Sequence, residues 1–260
     1  GGNCVIMKKI WNSFLIAFAM FSKIPVPKAD WDKENMRYMM CFFPLIGVVI
    51  GVLLQGLGIL CTWLSFGDTM RGASFVLLPV LVTGGIHMDG FLDTTDALSS
   101  WQPREKKLEI LKDSHAGAFA IIMGCSYFVL ALGVWSEMDL KALPVTGLIF
   151  VVSRTLSSLA LSTFPKANKS GSLSMFSDAA QKRILLITLA LWLIVCAGVG
   201  ICLDWKQTLL LFVTAAVVYG SYYRLAMKQF GGTTGDIAGF FTQICELACA
   251  FVIMLGGKLL

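Results

Sequence analysis

Charge is what this sequence has least of. Charged residues make up 14% of its 260 residues, hydrophobic ones make up 57%, and mean hydropathy is +0.76. A soluble globule carries roughly 25% charged residues to cover its surface. The shortfall excludes a water-soluble globule and a disordered chain, and makes the bilayer the solvent. Cysteines in metal-binding or disulfide spacing are missing too. There are eight cysteines but no CxxC pair, and Cys41, Cys61, Cys125, Cys196, Cys202, Cys245 and Cys249 fall in apolar stretches. Cysteine packs there as a small hydrophobe, so neither a disulfide scaffold nor a zinc framework is implied. Low-complexity segments and internal repeats are also lacking. The net charge of +5 implies no nucleic-acid partner, because basic loops on one face of a membrane account for it.

What is present is a series of long apolar runs. Seven, at about 38–66, 72–98, 114–136, 142–164, 184–203, 207–227 and 237–256, are long enough to cross a bilayer as helices, which takes ~20 residues. The first is long enough to tilt or break, and Gly47, Gly51, Gly56 and Gly58 permit close helix packing there. An eighth run, Ile10 to Ser22, lies between Lys8-Lys9 and Lys23 and is too short to span. It reads as an interfacial or re-entrant helix. A signal peptide fits less well, because the run ends in Lys-Ile-Pro-Val-Pro without a small-residue cleavage site. The expected fold is all-α: a polytopic membrane bundle of about seven transmembrane helices in a single domain over 1–260. Residues 1–6, before Met7-Lys8-Lys9, read as an expression remnant.

Positive charge alternates from loop to loop. Residues 23–37, 99–113, 165–183 and 224–236 hold most of the lysines and arginines, whereas the intervening connections hold Arg71, Lys141 and Lys206 singly. Basic loops stay cytoplasmic, so the heavy loops lie inside and the C-terminus outside. Lys106 and Lys107 read as topology charges of this kind.

The informative residues are the acids near those loops. In Gly85-Ile86-His87-Met88-Asp89-Gly90-Phe91-Leu92-Asp93-Thr94-Thr95-Asp96-Ala97, helical spacing places Asp89, Asp93 and Asp96 within about 60° on one face. Three carboxylates on one stripe repel one another and call for a cation. Hard oxygen ligands suit Mg²⁺ or Mn²⁺, which in turn suit phosphate or pyrophosphate substrates. A solvated helix end and the ion-coupling site of a transporter are the competing readings. Glu109 and Asp113, one turn apart, could complete a metal site, and Gly117 would let a helix start approach a phosphate. The alternative there is a salt-bridged surface helix. A third cluster, Gly231-Gly232-Thr233-Thr234-Gly235-Asp236, offers backbone N–H groups to an anion and a further carboxylate. Arg154 and Glu246 lie within spans and need partners; Arg154 either grips a phosphate or pairs with Glu246 or an Asp.

These residues resemble a known family. The His87-x-Asp89-Gly90-x-x-Asp93-x-x-Asp96 element is similar to the signature of cobalamin synthase, the adenosylcobinamide-GDP ribazoletransferase family. Phe21-Ser22-Lys23-Ile24-Pro25-Val26-Pro27, Pro44-Leu45-Ile46-Gly47, Lys112-Asp113-Ser114-His115-Ala116-Gly117-Ala118-Phe119, Ser153-Arg154 and the Gly231–Asp236 run follow in the family's order. Two departures stand out: Ser22-Lys23 replaces the usual Thr-Arg, losing a bidentate donor, and His115 stands where an Arg is often found.

The resemblance implies a Mg²⁺-dependent phosphotransferase of a bacterial cytoplasmic membrane, with its site on the cytoplasmic side. It would join α-ribazole, or its 5′-phosphate, to adenosylcobinamide-GDP and release GMP, the last step of cobalamin nucleotide-loop assembly. Asp89, Asp93, Asp96 and Asp113 would hold metal, and His87 or a carboxylate would accept the hydroxyl proton. Lys23, Arg154, Gly117, Gly232, Thr234, Asp236 and Glu246 would line the substrate site. A CDP-alcohol phosphotransferase is the rival enzyme, but its Asp-x-x-Asp-Gly-x-x-Ala-Arg order is not met, since Gly90 follows the first Asp and Leu98 follows Ala97. A cation-coupled transporter is the rival of another class. The oligomeric state, a homo-oligomer included, stays open.

Overall fold

The computed structural model describes residues 2–36, 38–113, 115–167 and 182–259. The described residues are helical apart from turns, loops and one isolated bridge between Lys166 and Thr233. In chain order the helices are α1 (Gly2–Phe21), α2 (Lys33–Met36), α3 (Met39–Trp63), α4 (Asp68–Thr83) and α5 (Ile86–Ser99). They continue as α6 (Arg104–Ile110), α7 (Ala118–Ser136), α8 (Leu143–Thr163), α9 (Lys182–Leu225) and α10 (Gly235–Leu259). Five of them are long and apolar enough to cross a bilayer, α9 together with the π turn that follows it, and the bent pair α4–α5 passes the same test only when taken together. The protein is thus a polytopic membrane helical bundle.

One span differs from its sequence expectation. The run 72–98 is not one helix: α4 and α5 meet at 96°. The hinge is Gly84-Gly85, both in the left-handed region at φ 67° and 80°, where a Cβ would be strained. The runs 184–203 and 207–227 are two helical arms as expected, carried together by α9 and separated at Asp204 (φ −160°, ψ 106°). Asp204 Oδ1 accepts from the N–H groups of Lys206 and Gln207 at 2.9 and 3.1 Å, restarting the helix. A Cβ on Gly200 would meet Thr208 Oγ1, a contact that only a chain doubled back on itself can make, so α9 is a hairpin.

The run 38–66 is one unbroken helix. Its Gly51 lies against the Gly147 carbonyl of α8, which a Cβ would approach to 2.8 Å, and Gly47 lies against Phe150. Gly56 meets nothing and faces open space, so it has no part in the close packing expected of it. The seven span cysteines are free thiols.

α1 is longer than the sequence run suggested and lies across helix ends rather than beside them. Ile10 borders Tyr38 and Ile184, the Phe21 ring packs at a tilt against Phe43 with centroids 4.5 Å apart, and the Lys23 N–H donates to the Val82 carbonyl at 2.8 Å. All four partners sit at or beside the helix ends that the charge pattern places inside, in keeping with an interfacial helix.

Candidate functional site

The site grows from the hinge. Turning the chain at Gly84-Gly85 sends α5 across the start of α10, where Gly90 rests on the Asp236 backbone. A Cβ on Gly90 would lie 2.6 Å from the Asp236 carbonyl oxygen, and one on Gly239 would lie 3.1 Å from the His87 carbonyl. Glycine at both crossing points lets the two helices touch backbone to backbone. That contact brings Asp236 to the α5 acids.

The result is a gathering of like charge from three separate segments. Asp93 feels the fields of Asp89, Asp236, Asp96 and Asp113, and Asp236 feels that of Asp89. Asp89 is exposed, Asp93 and Asp236 are half-buried, and Asp113 is exposed on the loop after α6. Asp113 is held by His115, whose backbone N–H and ring Nδ1 lie 3.0 and 2.8 Å from Oδ1. Those bonds hold the Asp113 carboxyl below the usual carboxylate range.

Asp89 also borders a cleft of about 480 Å³, shared with Ser22, Lys23, Gly84, Gly85 and Met88. The stem of Lys23 packs on the bare Cα of Gly84, where any side chain would displace it. A cation and a carboxylate thus open onto one cavity at the hinge.

Asp96 is employed differently. Its Oδ1 accepts from the Ala120 N–H at 2.9 Å and its Oδ2 accepts from the Gly117 N–H, so the carboxylate caps the N-terminus of α7 from a neighbouring helix. Gly117, expected to admit a phosphate at this helix start, admits Asp96 instead: a Cβ there would lie 2.6 Å from its Oδ2.

The glycine run before α10 also spends its polar groups internally. The N–H groups of Gly231, Gly232 and Thr233 donate to the carbonyls of Met227, Ala226 and Pro165 at 3.1, 3.1 and 2.8 Å. Gly232 is pressed against the Pro165–Ala167 backbone, and the Thr233 hydroxyl bonds Tyr222. Thr234 caps α10, its Oγ1 accepting from the Ile237 N–H at 3.3 Å.

His87, Arg154 and Glu246 lie in the interior, apart from the cleft. His87 is two residues from Asp89 and so on the opposite side of α5. It is buried against the Phe43 ring at 5.5 Å, and its Nε2 has no partner among the described residues. Arg154 Nη1 pairs with Glu246 Oε1 at 2.6 Å and with the Phe150 carbonyl at 3.0 Å, while Ser153 Oγ donates to the same carboxylate oxygen at 2.9 Å. Of the two roles open to Arg154, the structure places it in the ion pair, tying α8 to α10.

Sequence reasoning overlooked two contacts. Lys107, read as a topology charge, is buried and donates from Nζ to Gln229 Oε1 at 2.5 Å, whereas Lys106 stays exposed beside Glu109 at 2.8 Å. Arg104 packs its guanidinium over Gly231. Nothing in the local pattern separates Lys107 from Lys106; only the placement of α6 against the turn Ala226–Phe230 does.

The chain is similar to known proteins over most of its length. The family model for cobalamin-5-phosphate synthase matches residues 13–254. An adenosylcobinamide-GDP ribazoletransferase of Lachnoclostridium phytofermentans is 43% identical, covering 94% of each chain. Proteins of the same name from Clostridium botulinum and Shewanella piezotolerans are 31% and 30% identical, covering 94% and 95% of this chain and 98% and 96% of their own. No solved structure matches. With a match over nearly its full length, and its acids gathered where α5 crosses α10, the chain belongs to the cobalamin-5-phosphate synthase family.

Proposed function

We propose that this protein joins α-ribazole, or its 5′-phosphate, to adenosylcobinamide-GDP and releases GMP, completing the nucleotide loop of cobalamin. The observation that carries the reading is the cluster of Asp89, Asp93, Asp113 and Asp236 beside the Lys23 cleft, in a chain whose relatives bear that name. The family match favours it over a CDP-alcohol phosphotransferase and over a cation-coupled transporter.

The donor set suits a hard divalent cation, Mg²⁺ or Mn²⁺. Among the described residues no three of these side chains stand in ready ligating geometry. This accords with Mg²⁺, which typically takes one or two carboxylates, keeps several waters and completes its shell with substrate phosphates. Asp89 and Asp93, with Asp236 alongside, are the residues to hold it; Asp113 reaches in from its loop, and Asp96 is engaged at α7. When bound, the cation supplies positive charge to the pyrophosphate and to the GMP leaving group.

The chain's own residues do the rest. Lys23 faces the phosphate from across the cleft. The ribazole hydroxyl oxygen bonds to the phosphorus that carries the corrinoid linker, the bond from that phosphorus to the GMP oxygen breaks, and Asp89 or Asp93 takes up the hydroxyl proton. His87, turned inward, is less well placed for that proton. The site faces the cytoplasm on the positive-inside count, in a bacterial cytoplasmic membrane.

The test is GMP release by lipid-reconstituted protein given adenosylcobinamide-GDP and α-ribazole, with Mg²⁺ and then with EDTA. GMP together with a ribazole-bearing corrinoid, both abolished by EDTA, is the expected result. A folded sample that releases none under either condition would overturn the reading.

A further inference from the structure

A second cavity lies away from the acids. It is an apolar groove of about 670 Å³ roofed by Ile10 of α1, with Phe42 and Leu45 of α3 on one wall and Ile184, Leu191 and Trp192 of α9 on the other. It begins where α9 begins and continues along the helix to Val195, a run of about 16 Å at helical rise. Its one indole has its N–H turned inward, donating to the Cys41 carbonyl at 3.1 Å, so Trp192 offers the groove its hydrocarbon face. Ile184, Leu191 and Val195 are exposed along it. In a bilayer such a groove meets acyl chains, not water.

Its cytoplasmic mouth is positively charged. Lys182 and Arg183 immediately precede Ile184, and both are exposed and in no ion pair among the described residues. Lys9 of α1 is occupied by Glu34 at 3.1 Å. Basic residues at the interface above an apolar slot are complementary to a lipid with an anionic headgroup.

We propose that this groove seats one acyl chain of an anionic phospholipid from the cytoplasmic leaflet, its headgroup phosphate lying against Lys182 and Arg183. The polar nucleotide and corrinoid substrates find few partners there, whereas an acyl chain needs none. Because α1 roofs the groove at Ile10 and delivers Lys23 to the cleft at its other end, the bound lipid steadies the helix that positions Lys23. The binding stands independently of the reaction proposed above.

The test is thermal unfolding of detergent-purified protein with dioctanoyl-phosphatidylglycerol or dioctanoyl-phosphatidylcholine. At a hundredfold excess over Kd, phosphatidylglycerol should raise Tm by about 5 °C or more, and phosphatidylcholine by clearly less. Lys182→Glu with Arg183→Glu should bring the first shift down to the second. Leu191→Trp, which fills the slot from a position already facing lipid, should remove both; Val195→Phe blocks the same slot if that variant fails to fold. Equal shifts from the two lipids in the unaltered protein, or an undiminished phosphatidylglycerol shift in the blocked variants, would overturn the proposal. So would a Tm shift from adenosylcobinamide-GDP that is lost on blocking the groove while the lipid shift persists, since that would give the groove to the substrate.

Discussion

Two sets of charges sit in this apolar bundle, and they are built on opposite terms. Around α5 the acids share one sign, stand at or near the surface and come from three segments, with His115 beside Asp113 as their one ion-pairing partner among the described residues. Between α8 and α10 the charges have opposite sign, are sealed from solvent and meet each other through Arg154 Nη1, while Arg154 Nε and Nη2 find no partner among the described residues. A buried pair of that kind ties helices together, and truncating either partner strands the other in a low dielectric. A like-charged cluster contributes nothing to stability without a ligand, so its arrangement reflects what it binds. The contrast separates residues that hold the protein together from those proposed above to act.

The largest expected effect is on the acidic side. Asp93→Asn should lower GMP release by more than about a hundredfold while leaving helix content and Tm unchanged or slightly raised, because one repelling charge is gone. Circular dichroism and turnover on the same preparation check it, and near-normal turnover would remove Asp93 from the acting set. Glu246→Gln should do the reverse, lowering stability by about 3–5 kcal/mol with most of the turnover of the remaining folded protein retained. Replacing both partners, Arg154→Met with Glu246→Leu, should recover much of that stability in a thermal melt. A double variant that is stable yet inactive would place the pair in the chemistry after all.

Asp96→Asn sharpens the comparison, since Asp96 belongs to the acidic stripe by sequence but to the framework by contact. It should cost about 0.5–2 kcal/mol as a lost cap and reduce turnover far less than Asp93→Asn. Smallest is the lysine pair: Lys107→Gln should lower Tm measurably through the lost contact with Gln229, and Lys106→Gln should change neither Tm nor turnover.

The broad architecture was legible because bilayer solvation imposes it on composition: long apolar runs and one-sided basic loops need no tertiary information. The acids of α5 were legible as a stripe because helical periodicity alone aligns them. Asp236 could be named but not joined to them, since the joining depends on Gly90 meeting the Asp236 backbone, a contact between residues far apart in the chain. Asp96 and Asp93 look equivalent along the helix, and so do Lys106 and Lys107. Their difference is whether a neighbouring helix end or turn happens to lie within hydrogen-bond reach.

The hinge shows the division most clearly. Gly84-Gly85 within an apolar run is compatible with a continuous helix, a kink or a right-angled turn, and the run's hydropathy is the same in all three. Composition and periodicity therefore settle which residues lie in lipid and which acids share a face, because those are properties of a single helix in a solvent. Where α5 goes, which carboxylates meet across it, and whether Arg154 grips Glu246 depend on how helices pack against one another. Those contacts are made between segments distant in sequence, and no local pattern records them.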